Sequence, residues 1–159
     1  MVNCRSPKPN LQVRILLGPP YTMKTPKNYW LLKTEAEEFS IDDLRKVKSE
    51  PWTGIRNFQA RNNLRAMRVG DLCFIYHTGD EKAVVGIGKI ASSPYPDKDP
   101  MWTVVDVSFV KKFKRPVTLA EIKFNPRSRD MIVARAPRLS VQPVSQGHFN
   151  YIKDLAEGK

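Results

Sequence analysis

Cysteine and histidine are scarce in this chain, with two of each among 159 residues. Cys4 and Cys73 lie far apart, and Cys73 falls in an apolar run where a small buried thiol is typical. The two cysteines and two histidines have none of the close spacings of a zinc site. The sequence therefore predicts no metal centre, no disulfide framework and no cofactor, and it fits a reducing compartment.

The chain also lacks a long apolar run. Its most apolar N-terminal stretch, residues 13–17, is short and contains Arg14, so it predicts neither a secretory signal nor a membrane span. We expect a monomer without a membrane partner, located in the cytoplasm of a bacterium or in the nucleus of a eukaryote.

Positive charge is what the chain has in excess. Its 27 Lys and Arg residues against 16 Asp and Glu residues give a net charge of +11. Residues 1–27 contain five basic side chains, five prolines and no acid, which indicates a basic N-terminal extension. Residues 28–159 keep a net charge of +6 and have the length of one domain. Such a charge attracts nucleic acid, although many proteins with this charge bind none.

Hydrophobic patterns predict an α+β fold for residues 28–159. Strands are expected at residues 28–34, 72–78, 83–90, 101–113 and 138–144, and helices from about residues 41, 57, 118 and 145. Ser40 with Asp43, and Thr118 with Glu121, have the spacing of capping boxes. Because most strands follow one another through short turns, we expect a curved, mainly antiparallel β-barrel flanked by helices.

Two apparent catalytic patterns fail in their context. Gly86-Ile87-Gly88 matches a dinucleotide-binding fingerprint, but no helix pattern follows it, so glycines that relieve crowding in a curved strand are the better interpretation. Cys73 and His77 would lie about 13 Å apart on one strand face, beyond direct proton transfer. We predict no catalytic residue, and hence a protein that is not an enzyme.

Residues 52–62 form the most informative segment, Trp-Thr-Gly-Ile-Arg-Asn-Phe-Gln-Ala-Arg-Asn. Aromatic rings stack on bases, carboxamides bind base edges, and guanidinium groups bind phosphates. This combination suits a nucleotide-binding surface. It equally suits an ordinary helix start with a polar outer face, and the segment alone does not separate the two interpretations.

Several longer motifs occur in order between about residues 28 and 157. They include Tyr-Trp-Leu-Leu-Lys-Thr-Glu at 29–35, the 52–62 segment, Tyr-Pro-Asp at 95–97 and Arg-Leu-Ser-Val-Gln-Pro at 138–143. Together they resemble the EVE domain family. The chain departs from that family at Ile55, Phe58 and Thr78, where valine, tyrosine and serine are usual. The Phe58 departure removes a hydroxyl but keeps an aromatic ring.

The resemblance implies a fold like that of the PUA superfamily and a pocket that binds nucleic acid, with methylated or hydroxymethylated cytosine in DNA as the proposed ligand. The implied base pocket consists of Trp30, Trp52, Gly54, Ile55, Asn57, Gln59, Tyr76, His77, Ser140, Val141, Gln142 and Pro143. Four arginines are expected to bind phosphates: Arg56, Arg61, Arg65 and Arg68. Pattern alone favours core positions for Trp30 and Trp102.

The leading hypothesis is a reader that flips a modified base into an aromatic pocket. Three alternatives remain at this point. An RNA-binding module would use the same basic surface, a small hydrolase or transferase would need an acid or thiol within hydrogen-bond reach of His77, and a protein-interaction module would need an exposed apolar patch.

Overall fold

The computed structural model of the protein describes residues 28–158, so the predicted extension at residues 1–27 lies outside the described residues. The strands are β1 (Tyr29–Glu35), β2 (Ser49–Pro51), β3 (Leu72–Thr78), β4 (Ala83–Ile90), β5 (Tyr95–Pro96), β6 (Thr103–Val104), β7 (Asp106–Thr118) and β8 (Val141–Val144). The helices are α1 (Ile41–Val47), α2 (Phe58–Arg65), α3 (Leu119–Phe124), α4 (Ile132–Arg135) and α5 (Gln146–Glu157). No helix within residues 28–158 is long and apolar enough to cross a bilayer.

Helix starts follow the capping signals in the sequence. Ser40 and Asp43 form a complete capping box at the start of α1, with each side chain bonded to the other's backbone amide. Thr118 caps α3 by accepting from the Glu121 amide, and Ser145 caps α5 by accepting from the His148 amide. These caps satisfy amides that the first helical turn leaves without partners, which explains why the helices begin there.

The main sheet has six strands in the order β2-β7-β4-β3-β1-β8 and is curled into a half-barrel flanked by helices. Four of its neighbouring pairs are antiparallel, as predicted, whereas β1 and β3 are parallel, with Trp30 opposite Cys73. The chain passes through α1, β2 and α2 between these two strands. The α+β, mainly antiparallel prediction is confirmed, and the parallel pair is an addition to it.

Side chains of the sheet alternate between two hydrophobic clusters. Trp30 and Leu32 face a cluster that α1 and α2 complete, whereas Leu31 and Phe74 face a cluster that α5 completes through Phe149. In α5 the predicted apolar face is confirmed, since Phe149, Ile152 and Ala156 are its buried residues. Both faces of the sheet are therefore covered, and the strands lie between two layers of helices.

Gly86 and Gly88 lie inside β4, where each allows the neighbouring strand to approach closely. A Cβ on Gly86 would stand 2.4 Å from the Lys111 carbonyl oxygen, and one on Gly88 would stand 2.9 Å from Val107 Cγ1. The pairing of β4 with β7 also shifts register near both positions. The crowding interpretation of these glycines is confirmed, and the dinucleotide-binding fingerprint is excluded because no helix follows them.

The predicted strand at 101–113 differs most from the structure. Met101 and Trp102 lie in a turn, β6 is two residues long, and β7 continues past Phe113 to Thr118. The Trp102 core position is wrong: its side chain is only half-buried, and its ring stacks on Phe58 with centroids 5.1 Å apart. Alternating apolar residues predicted the strand but did not reveal where it bends.

Candidate nucleic-acid interface

A cleft of about 590 Å³ lies where the parallel strands β1 and β3 end. Because parallel strands run in the same direction, their carboxyl ends meet at one edge, and Glu35 stands opposite Thr78 there. The lining combines residues from that edge with β2 and with the three loops that precede α1, α2 and β8: Lys33, Thr34, Glu35, Glu38, Phe39, Glu50, Pro51, Trp52, Thr53, Ile55, Thr78, Pro137, Arg138 and Ser140.

Trp52 and Phe39 form the aromatic wall of the cleft. Their ring centroids are 6.1 Å apart in an edge-to-face arrangement, and Trp52 is only 7% exposed. The Trp52 amide donates to the Val105 carbonyl at 2.8 Å, and Thr34 Oγ1 donates to the Phe39 carbonyl at 2.8 Å. Both aromatic residues are thus held by their backbone, which gives the cleft a fixed apolar side.

Charged side chains form the other side of the cleft. Lys33 Nζ donates to the Pro137 carbonyl at 2.8 Å and lies 5.5 Å from the centre of the Tyr76 ring. Burial lowers the pKa of the Lys33 amine and raises the pKa of the Tyr76 hydroxyl. Three carboxylates, those of Glu35, Glu38 and Glu50, and the Arg138 guanidinium also line the cleft. Acceptors and donors of hydrogen bonds therefore surround one apolar wall.

Asp97 fixes the turn that leads from the cleft to α2. Its carboxylate accepts from the Lys98 amide at 2.7 Å, from the Gly54 amide at 3.2 Å and from Arg56 Nη1 at 3.1 Å. The Lys98 amide, followed by the Gly54 amide and the Arg56 side chain, lowers the pKa of Asp97. Gly54 has φ +80°, a conformation that favours glycine.

Helix α2 presents arginines directly after this turn. Arg61 Nη1 donates to the Met101 carbonyl at 3.2 Å, and Arg65 Nε donates to Thr103 Oγ1 at 3.0 Å. Arg56, Arg65 and Arg68 are exposed, and Arg61 is half-buried. These contacts use part of each guanidinium fork of Arg61 and Arg65 and orient it, while other N–H groups remain available for an anion.

The structure brings together only part of the predicted base pocket. Trp52, Ile55 and Ser140 line the cleft, Gly54 lies in the adjoining turn, and the Tyr76 ring lies below Lys33. Gln59 is exposed on α2, and Val141 is buried in the hydrophobic cluster that contains Leu32. Pro143 borders a separate depression together with Trp30.

Four predicted pocket residues have their polar groups engaged inside the protein. Trp30 Nε1 donates to Asp71 Oδ2 at 3.0 Å, and the Asn57 side chain caps α2 by accepting from the Ala60 amide at 2.9 Å. Gln142 Nε2 donates to the Leu139 carbonyl at 2.8 Å. His77 has hydrogen-bond partners at both ring nitrogens. These four side chains are not among the residues that line the cleft.

His77 is 4% exposed, and both of its ring nitrogens have partners. Nδ1 lies 2.7 Å from Glu81 Oε1, and Nε2 accepts from the Ile41 amide at 3.0 Å. A carboxylate is therefore within reach of His77, as the enzyme alternative requires, but neither nitrogen is left to take a proton from a substrate. Burial raises the pKa of Cys73 to about 12, opposite to what a nucleophilic thiol needs.

Sequence reasoning missed most of the cleft lining. Lys33, Thr34 and Glu35 belong to the first family motif, but within that motif Trp30 is the residue type that suits base stacking. Their position at the end of β1 was a usable signal, because ligands commonly bind beyond the carboxyl ends of parallel strands. That signal required knowing that β1 pairs with β3 in parallel.

A curled sheet flanked by helices, with an aromatic-walled cleft beside an arginine-bearing helix, defines a small α+β ligand-binding domain. The chain belongs to the EVE domain family, whose model matches residues 28–155. It is 36% identical over 168 residues to thymocyte nuclear protein 1 of Gallus gallus, covering 82% of this chain and 69% of that protein. The predicted family is confirmed.

Solved structures agree with this family assignment. A hypothetical protein from Leishmania major has a TM-score of 0.80 and 39% identity, with 84% of this chain and 96% of that one covered. The human THYN1 protein, solved in complex with DNA containing 5-methylcytosine, has a TM-score of 0.77 and 33% identity, with 84% and 99% covered. The fold predicted from the sequence is therefore that of experimentally determined relatives.

Proposed function

We propose that the protein is a monomeric, non-catalytic reader of modified DNA, which takes a methylated or hydroxymethylated cytosine flipped out of the duplex into the cleft. The observation that carries this proposal is the direct continuation of an aromatic-walled cleft into an arginine-bearing helix. The similarity to the human protein solved with 5-methylcytosine-containing DNA supports the ligand class. The names of the vertebrate relatives support a nuclear location in a eukaryote.

The cleft has the size and chemistry for one base. Its volume of about 590 Å³ falls within the usual range for small-ligand sites, about 300–1,000 Å³. Trp52 and Phe39 offer apolar contact to the ring and to an added methyl group. The carboxylates of Glu35, Glu38 and Glu50 suit the amino group of cytosine, which donates hydrogen bonds and pairs with acidic side chains in recognition.

In this proposal the cleft and helix α2 contribute differently to the free energy of binding. Flipping a base costs a few kcal/mol, and stacking on aromatic side chains returns about 1–3 kcal/mol per base. Stacking alone therefore only offsets the flipping cost. In this proposal edge contacts inside the cleft discriminate between bases, while Arg56, Arg61, Arg65 and Arg68 bind phosphates and fix the register of the strand.

A cleft-filling substitution tests the proposal. Ser140 is half-buried at the cleft, so Ser140→Phe should occupy the space of the base, whereas Ser140→Ala leaves it open. We expect Ser140→Phe to bind modified and unmodified duplexes equally, through the arginines alone. Ser140→Ala should keep the preference of the wild type for 5-methylcytosine or 5-hydroxymethylcytosine. Fluorescence anisotropy at two salt concentrations measures both, after thermal melts have shown that the variants fold.

The same titration includes RNA duplexes of matched sequence with 5-methylcytidine. Tighter binding to RNA than to DNA would replace the proposed ligand by a modified RNA base, since the 2′-hydroxyl is the group that distinguishes the two. Binding without any preference between modified and unmodified duplexes would leave only a polyanion surface. Absence of binding to every duplex would contradict a nucleic-acid function for these ligands.

A further inference from the structure

A pair of stacked aromatic rings, one exposed and one half-buried, lies outside the cleft at the start of α2. Phe58 is the first residue of the helix and is 59% exposed, and its ring stacks on Trp102 with centroids 5.1 Å apart and planes 27° apart. Neither side chain is among the residues of the two described hydrophobic clusters. A single exposed phenylalanine is normal at a protein surface, but the second ring stacked on Phe58 extends the apolar surface, so the pair of rings suits a partner.

Two guanidinium groups lie against the same rings. Arg61 is 5.0 Å from the Phe58 centroid and 5.8 Å from the Trp102 centroid, and Arg56 is 5.5 Å from the Trp102 centroid. Arg56 is held by Asp97, and Arg61 by the Met101 carbonyl. We call Phe58, Trp102, Arg56 and Arg61 the aromatic step. Its rings and charges are oriented before any ligand arrives, which lowers the entropy cost of binding.

The chemical groups of the aromatic step indicate which kind of ligand it binds. Stacked aromatic rings attract planar groups, and the two fixed guanidinium groups attract anions close to those rings. A nucleotide carries a flat base and a phosphate at this short separation, and stacking on aromatic side chains is how proteins hold bases without reading their sequence. A peptide would have to supply an aromatic group and an acid together, so a nucleic-acid strand is the better match.

The aromatic step is close enough to the cleft to contact the same strand. Ile55 lines the cleft, and Phe58 follows three residues later, so their Cα atoms are at most about 11 Å apart. Successive bases along one strand are about 3.4 Å apart. One to three nucleotides therefore span the distance between the two sites.

We infer that the aromatic step stacks on a base within three nucleotides of the base held in the cleft, and so stabilises the strand where flipping has opened the stack. This inference rests on the proposed function and adds a second, sequence-independent base contact to it. The cleft chooses the modified cytosine. The aromatic step raises affinity for any sequence in which that cytosine occurs.

Phe58 substitutions and a fluorescent base test the inference. Duplexes carry 5-methylcytosine and, one, two or three positions away, 2-aminopurine, whose fluorescence falls when it stacks on an aromatic ring. Neighbouring bases quench this probe in the free duplex, and flipping opens that stack, so the two complexes are compared. We expect more quenching at one position in the wild-type complex than in the Phe58→Ala complex, because only the wild type replaces the lost neighbour with a ring. Phe58→Ala should also bind about tenfold more weakly, with the preference for the modified duplex unchanged, because only the second contact is lost.

Two further variants serve as controls. Phe58→Tyr keeps the ring and should bind and quench like the wild type. Phe124→Ala removes a phenylalanine of α3 that is 87% exposed and should change neither affinity nor quenching. Loss of affinity in Phe58→Tyr as large as in Phe58→Ala would overturn the stacking role.

The outcomes separate this inference from the proposed function. Unchanged affinity and quenching in Phe58→Ala, with Ser140→Phe still abolishing the preference for the modified duplex, would overturn the aromatic step alone. No preference for the modified duplex in the wild type would overturn the proposed function, and the inference with it. Loss of affinity and quenching in Phe58→Ala, with the preference retained, supports both.

Discussion

At the scale of single residues, Asp71 explains why Trp30, a tryptophan of the first family motif, is not in the cleft. Its carboxylate is 4% exposed and accepts from Trp30 Nε1, from the Arg68 amide at 3.0 Å and from the Asn28 amide at 3.3 Å. A buried carboxylate is costly unless donors surround it, and here the indole supplies one of them. Trp30 therefore stabilises the junction between β1 and the chain leading into β3.

Asp97 stabilises the turn before α2, as Asp71 stabilises the junction before β3. Because the pKa of Asp97 is lowered, this stabilisation should depend on pH. A carboxylate whose pKa is lower in the folded state stabilises the fold above its unfolded pKa, near 3.9, and this stabilisation is lost as the pH falls through the folded value. We expect the difference in free energy of unfolding between wild type and Asp97→Asn to be constant above about pH 5 and to shrink below about pH 4. Urea unfolding across pH 3–6 measures it.

Other acidic groups contribute equally to the stability of wild type and Asp97→Asn, so their contributions cancel in the difference. The pKa of Asp42 is also lowered, mainly by its hydrogen bond with Lys112, but Asp42 is present in both proteins. Wild type and variant curves that stay parallel down to pH 3 would contradict the role of the Asp97 carboxylate. In that case the turn would be held by Gly54 and its neighbours without the charge.

At the scale of elements, β4 depends on close contact with β7, and Gly86→Ala tests this dependence. The added Cβ would stand 2.4 Å from the Lys111 carbonyl and 2.9 Å from Ile41 Cδ1, so strand and helix would have to move apart. We expect a loss of about 3 kcal/mol in the free energy of unfolding, as for other overpacked interiors. Urea unfolding monitored by tryptophan fluorescence measures this loss.

Gly147→Ala is the matched control for that substitution. Gly147 lies in the first turn of α5, and a Cβ there would meet nothing within 4 Å. Because alanine has the higher helix propensity, we expect a gain of about 0.5 kcal/mol. Equal changes in the free energy of unfolding for the two substitutions would show that backbone entropy determines their effect. Crowding between β4 and β7 would then not be the reason for glycine at position 86.

Elements specified by neighbouring residues were predictable from the sequence, and pairings between distant strands were not. Signals within a few residues, such as Ser40 with Asp43 or the spacing of Phe149 and Ile152, predicted helices correctly because their physics is local. The parallel pairing of β1 with β3 depends on residues more than forty positions apart, and no local pattern specifies it. The cleft forms at the end of that pair, so most of its lining was not predictable either.

Polar side chains have a structural use at two positions that were predicted to contact base edges. Asn57 and Gln142 looked suited to base edges, yet one caps α2 and the other bonds a loop carbonyl. A carboxamide can serve either purpose, and only the folded backbone determines which amides need a partner. Trp52 and Ile55 line the cleft because Pro51 and Gly54 hold them on a loop beside it.

At the scale of the whole molecule, the net charge of +11 should make affinity for the proposed DNA ligand depend on salt, and the four arginines proposed to bind phosphates should set how steeply. Each phosphate neutralised on B-DNA contributes about −0.9 to the slope of log affinity against log salt concentration, so four contacts predict a slope of about −3.6. Replacing Arg65 by alanine should make the slope shallower by about 0.9 and weaken binding to modified and unmodified duplexes alike.

Arg129→Ala is the matched control, because it removes the same charge from an exposed position outside α2. We expect it to leave the slope unchanged, since counterions are released only where a side chain meets a phosphate. Anisotropy titrations at four salt concentrations measure all three proteins. Equal changes for Arg65→Ala and Arg129→Ala would mean that the protein attracts DNA through its overall charge. A change confined to Arg65→Ala would locate the phosphate backbone along α2, beside the cleft that receives the base.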